Sequence, residues 1–101
     1  MGSSFIIELI DTFGEDAREL IATLRRGLAK GDIDVFRRAA HSLKSTSETL
    51  GATRLAVMAK ELETMARAGT INGTEDRIDR LAAEYRVATT LLEEIRRGLP
   101  A

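Results

Sequence analysis

Four stretches of this chain place apolar residues three and four positions apart, and none shows the every-second-residue alternation of a strand. In the first stretch the apolar positions are Phe5, Ile6, Leu9, Ile10, Phe13, Ala17, Leu20, Ile21, Leu24 and Leu28. Gly14 falls inside this series and predicts a break, giving a short leading helix and a longer one over about residues 15–30. At "AKGD", Gly31 suits a helix C-terminal cap and Asp32 the N-cap of the next helix. The second helix is predicted over about residues 32–50, ended by Gly51, and the third over about residues 52–68. The third helix has Leu55, Met58, Ala59, Leu62, Met65 and Ala66 as its stripe. "AGTINGTED" at residues 68–76 is the clearest loop; Asn72 or Thr74 could cap the last helix, and Glu75 lies where a capping box with Asn72 would need it. The last helix carries Ile78, Leu81, Ala82, Tyr85, Ala88, Leu92, Ile95 and Leu99. Short connections force neighbouring helices to run in opposite directions. The expected fold is therefore all-α: an antiparallel up-and-down four-helix bundle with a short leading N-terminal helix, forming a single domain over residues 1–101.

Composition agrees with one compact core. A chain of 101 residues with 44% hydrophobic and 31% charged residues has the balance of a globular domain. Such a length buries roughly 60–65% of the unfolded surface. Aromatic residues are only 4%, so Leu, Ile, Ala, Val and Met must build the core, with the one proline, Pro100, outside it. There is no cysteine, which excludes disulfides and thiolate metal sites and fits a reducing compartment. No apolar run approaches the ~20 residues of a membrane span. "MGSSFIIELI" lacks the basic start of a signal peptide, and Glu8 and Asp11 follow at once. These features predict a cytoplasmic protein. A net charge of −1 argues against nucleic acid as the main partner.

His41 is the one histidine in the chain. At about 100° per residue, Phe36, Ala39, Leu43 and Leu50 fall within about 40° of the side opposite His41 and define the core face. Arg37, Arg38, Lys44, Ser45 and Glu48 lie within about 60° of His41, on its own side. His41 therefore belongs to the polar face, where it is either an ordinary solvated residue or a working group. The cations Arg37, Arg38 and Lys44 would favour an anion such as a phosphoryl group beside the ring. The small residues Ser42 and Ser45 leave its approach open to a macromolecular partner. An enzyme using His41 as general base would need Ser, Cys or paired carboxylates at catalytic spacing, and no such cluster accompanies it. One histidine without cysteine cannot supply a zinc site unless carboxylates provide most of the ligands.

At these residues the sequence resembles the histidine phosphotransfer (HPt) domains of multistep phosphorelays. Their motif, His-x-Leu-Lys-Gly-Ser-Ser followed by three variable residues, Gly and a small or apolar residue, reads here His41-Ser42-Leu43-Lys44-Ser45-Thr46-Ser47, then Glu48-Thr49-Leu50, then Gly51-Ala52. The likeness extends to the leading apolar helix, the "AKGD" turn, "RRAAH" before the histidine and "LAVMAKELETMAR" in the third helix. The resemblance implies that His41 accepts the phosphoryl group and that Lys44 stabilises its charge, with Arg37 and Arg38 nearby. It implies that Ser42, Ser45 and Glu48 meet the partner. Ser45 stands where the family usually has Gly, and Thr46 replaces a usual Ser. Glu63 matches a position whose polar side chain hydrogen-bonds the imidazole; its alternative is a surface glutamate paired with Lys60 or Arg67.

The implied activity is relay of phosphate between receiver-domain aspartates, with response-regulator receivers or a hybrid histidine kinase as partners. The alternative is a phosphotransfer-inactive helical adaptor that binds receivers. The chain would be a phosphate carrier rather than an autonomous kinase, since it has no glycine-rich nucleotide loop. It would bind no cofactor of its own, Mg²⁺ being expected on the receiver. A monomer is expected, because a bundle of this size needs no partner to fold.

Overall fold

The computed structural model describes residues 2–99, so Pro100 and its expected place outside the core lie beyond the described residues. Four helices follow one another, α1 (Gly2–Lys30), α2 (Ile33–Thr49), α3 (Thr53–Arg67) and α4 (Glu75–Arg97). Each packs on its chain neighbours, and α1 closes the ring against α4, which gives the expected antiparallel four-helix bundle. The bundle is elongated, 46 × 20 × 19 Å.

The break expected at Gly14 does not occur. One glycine costs a helix only about 1 kcal/mol relative to alanine, and here the apolar stripe continues across it. Phe13 and Ala17 are both buried, and the Tyr85 hydroxyl donates to the Gly14 carbonyl at 2.8 Å. Tertiary packing on both sides outweighs the local preference, so α1 has no separate leading helix.

The turns follow the glycines. Gly31 and Gly51 have φ of +67° and +73°, the left-handed region in which a helix ends without Cβ strain. At the first turn Gly31 N–H donates to Leu28 O and Asp32 N–H to Gly27 O, the paired bonds of a Schellman ending. Asp32 then caps α2 as predicted, its carboxylate accepting from Val35 N–H at 3.1 Å. The start of α4 differs from both capping expectations. Thr74 occupies the N-cap position, but its hydroxyl donates to Ile71 O at 2.7 Å and caps nothing. Asn72 lies outside the helix, so the Asn72–Glu75 box does not form. Burial of Ile71 beside Thr74 folds the loop onto the core and diverts that hydroxyl.

The core contains Phe13, Ala17, Leu24, Phe36, Ala39, Leu43, Leu55, Ala59, Leu62, Ile78 and Leu81, drawn from all four helices. Each fully buried Leu, Ile or Phe side chain contributes about 1.5–3 kcal/mol. The face assigned to α2 is correct: Phe36, Ala39 and Leu43 are buried and Leu50 is partly so. The stripes of α1 and α4 outrun the core. Phe5 and Ile6 at the start of α1 are exposed, as is Ile95 near the end of α4. The two helices are longer than α2 and α3, so their apolar periodicity continues past the point where neighbours cover it.

Candidate functional site

His41 sits in the middle of α2, and Glu63 lies opposite on α3. Leu43 and Leu62, each next to a site residue or within two positions of it, are fully buried and fix the two helices against each other. His41 Nδ1 and Glu63 Oε2 are 2.7 Å apart. A carboxylate only accepts, so Nδ1 carries the proton and donates it. In the neutral ring Nε2 then holds the free lone pair, and among the described residues no hydrogen-bond partner occupies it. The His41 side chain is about half exposed, at 52%, whereas that of Glu63 is only 6% exposed.

Glu63 is thus no surface glutamate. Its alternative partner Arg67 is nonetheless real: Arg67 Nη2 donates to the same oxygen, Oε2, at 2.9 Å. Lys44 Nζ approaches the other oxygen, Oε1, at 3.4 Å. Burial would raise the carboxyl pKa, but hydrogen bonds from Arg67, His41 and Lys44 overcome that effect and lower it from 4.5 to about 2. The carboxylate remains ionised at neutral pH and holds the imidazole proton on Nδ1.

This lowered pKa makes stability depend on pH. A carboxyl whose folded pKa lies below its unfolded value stabilises the fold above the unfolded value, and that stability is lost as pH falls through the folded one. The window here runs from about 4.5 down to about 2. Discounted for the wet rim of the site, the contribution is about 2 kcal/mol. Denaturant unfolding of wild type and Glu63→Gln at pH 7 and pH 2.5 should show the wild type losing more stability than the variant. Equal losses would mean that Glu63 is not held ionised by its neighbours.

The structure brings Lys44 and Glu63 to His41. It sends Arg37 and Arg38 elsewhere: Arg37 Nη2 lies 3.8 Å from the Asp34 carboxylate, and Arg38 Nε donates to the Asp34 carbonyl at 3.3 Å. Both contacts are about two turns before the histidine. Ser42, Ser45 and Glu48 are exposed on the same helix. Ser42 and Arg38 line a groove of about 320 Å³ between α1 and α2 with Leu20, Val35 and Ala39. Glu48 borders another, of about 410 Å³, between α2 and α3 with Val57 and Lys60. Thr46 is half-buried and Ser47 fully buried. Arg67, offered by the sequence only as the partner of a surface Glu63, joins the site together with His41 rather than instead of it. The signal was the Glu63–Arg67 spacing of four, which puts the pair on one face of α3.

An imidazole presented on the outside of a bundle, backed by a buried carboxylate and flanked by a lysine, defines a group-transfer carrier that meets its partner at a surface. The Hpt domain family matches residues 8–99, and the chain belongs to that family, the histidine phosphotransfer domains of two-component phosphorelays. The crystal structure of histidine-containing phosphotransfer protein B (HptB) from Pseudomonas aeruginosa PAO1 is similar, with a TM-score of 0.91 and 32% sequence identity. The similarity covers 99% of this chain and 86% of that one. A comparison with curated protein sequences gives no match. Among the described residues no helix is long and apolar enough to cross a membrane.

Proposed function

We propose that His41 accepts a phosphoryl group at Nε2 from the aspartyl phosphate of a receiver domain and passes it to the aspartate of another. The observation that carries this reading is the 2.7 Å contact between Nδ1 and the buried Glu63 carboxylate. It leaves the Nε2 lone pair available on a half-exposed ring. In the forward step an N–P bond forms at Nε2 and the acyl-phosphate P–O bond breaks, its electron pair leaving with the receiver's carboxylate. The Nδ1 proton stays on the ring, and the positive charge that develops there faces Glu63.

Transfer of this kind asks a protein mainly for in-line positioning and charge neutralisation. Lys44 supplies a cation beside the ring, and the receiver supplies the aspartate and Mg²⁺. Arg37 and Arg38 add positive potential farther along the face. Ser42, Ser45 and Glu48 meet the receiver, Ser45 putting a hydroxymethyl group where the family usually has none. The chain carries phosphate without taking it from ATP, and works as a cytoplasmic monomer. The organised His41–Glu63 pair supports phosphotransfer over an inactive adaptor.

Incubation with a phosphorylated cognate receiver tests this directly. The expected product is an acid-labile, base-stable phosphate that mass spectrometry maps to His41. Stable receiver binding with no phosphate transferred would instead leave the chain as an adaptor.

A further inference from the structure

Three donors converge on one carboxylate, and they are not equivalent. Arg67 Nη2 and His41 Nδ1 share Glu63 Oε2 at 2.9 and 2.7 Å, within ordinary hydrogen-bond length. Lys44 Nζ stands 3.4 Å from Oε1, an ion pair with a long contact. The anchors also differ. Arg67 lies one turn after Glu63 on α3, so its grip on the carboxylate is internal to one helix. Lys44 lies on α2 one turn after His41, with a flexible stem that can reach either toward α3 or toward the outer edge of the ring.

An arriving phosphoryl group brings negative charge to Nε2, and Lys44, one turn from His41 on the same helix, is the cation placed to meet it. If Lys44 turns outward to do so, Oε1 loses its partner at the moment the ring becomes positive. Glu63 must then stay ionised and aligned through Oε2 alone, and the donor there other than His41 is Arg67, which is anchored on the same helix as Glu63 although its side chain is 60% exposed. Resting on the reading of His41 as phosphoryl acceptor, we infer that Arg67 is a positioning residue for the transfer. It holds the Glu63 carboxylate against His41 Nδ1 while Lys44 leaves that carboxylate for the phosphoryl group.

Phosphoramidate, a small-molecule donor, allows the test without a receiver. It forms the same N–P bond at Nε2 with release of ammonia, so docking of the partner plays no part. Arg67→Met should label His41 about tenfold more slowly, the scale of one charge-assisted hydrogen bond. Arg67→Lys should recover most of the rate, because the contact in question uses a single nitrogen rather than the guanidinium fork. In ¹H–¹⁵N spectra of the ring, wild type and Arg67→Lys should keep the proton on Nδ1, while Arg67→Met should shift toward a mixture of tautomers. Lys44→Met should slow labelling and leave the tautomer in place. If Arg67→Met labels at the wild-type rate with Nδ1 still protonated, the role assigned to Arg67 is wrong although His41 remains the acceptor. If wild type takes no label on His41, the acceptor reading itself fails and this inference with it.

Discussion

His41→Gln is expected to end phosphoryl acceptance while leaving the bundle folded. The chain has one imidazole, and removing a nucleophile costs several orders of magnitude because no neighbouring group can replace its lone pair. Ser42 and Ser45 are exposed alongside, but an unactivated hydroxyl is a weak nucleophile. Glutamine suits the test because its side-chain amide can still donate to Glu63 Oε2, so the buried carboxylate keeps a donor where His41 Nδ1 now lies. About half of the His41 side chain is exposed, so little packing is lost, and the melting midpoint should stay within a few degrees of wild type. The measurement is labelling by a phosphorylated receiver, with circular dichroism as the control for folding. Acid-labile label persisting on the folded variant would place the acceptor elsewhere and overturn the assignment of His41.

The structure also shows which parts of the fold could be read in the sequence. Periodic apolar residues marked the four helices and the core face of α2, because apolar burial is the main force driving folding and its pattern is written at single-residue spacing. Gly31, Gly51 and Asp32 marked the turns around α2, because left-handed backbone and N-capping need those residue types. Gly14 misled because its local cost is small against burial of Phe13 and Ala17 beside it. At the site, the helical spacing of α2 placed His41 outward but treated Arg37, Arg38 and Lys44 alike. It could not tell that Arg37 and Arg38 would turn to Asp34 while Lys44 reached Glu63, nor that Glu63 would hold His41 and its anticipated partner Arg67 at once. That division depends on how α2 and α3 are rotated against each other, which no single helix encodes. The depth of Glu63 was hidden for the same reason: a glutamate among Lys60, Glu61 and Thr64 reads as surface until α2 covers it.

Gly27→Val is expected to remove about 3 kcal/mol of stability, a large share of the ~5–15 kcal/mol that holds a domain of this size. Gly27 is buried where α1 meets the first turn of α2. A Cβ there would lie 3.2 Å from Phe36 N and 3.3 Å from both Phe36 Cα and Asp32 O. All three are backbone atoms, so no side chain can rotate away to make room. Retreat of the turn is opposed by its own bonds: Phe36 N–H donates to Asp32 O at 3.1 Å, and Asp32 N–H donates to Gly27 O at 2.8 Å. Phe36 is fully buried and cannot shift without opening the core. Alanine at this position gains about 1 kcal/mol of helix propensity against about 1–3 kcal/mol of overpacking, a net loss smaller than that of valine. Valine adds two methyl groups to the same contact, and its melting midpoint should fall by about 10 °C or more. Gly14→Ala is the matched control. It lies in the same helix with no atom within 4 Å of an added Cβ, so it should stabilise by about 0.5–1 kcal/mol. Because α2 carries His41 little more than one turn beyond Phe36, Gly27→Val should also slow phosphotransfer, by displacing the imidazole from Glu63 on α3. A Gly27→Val protein that melts at or above the wild-type midpoint would show that α1 and α2 can separate freely at this crossing.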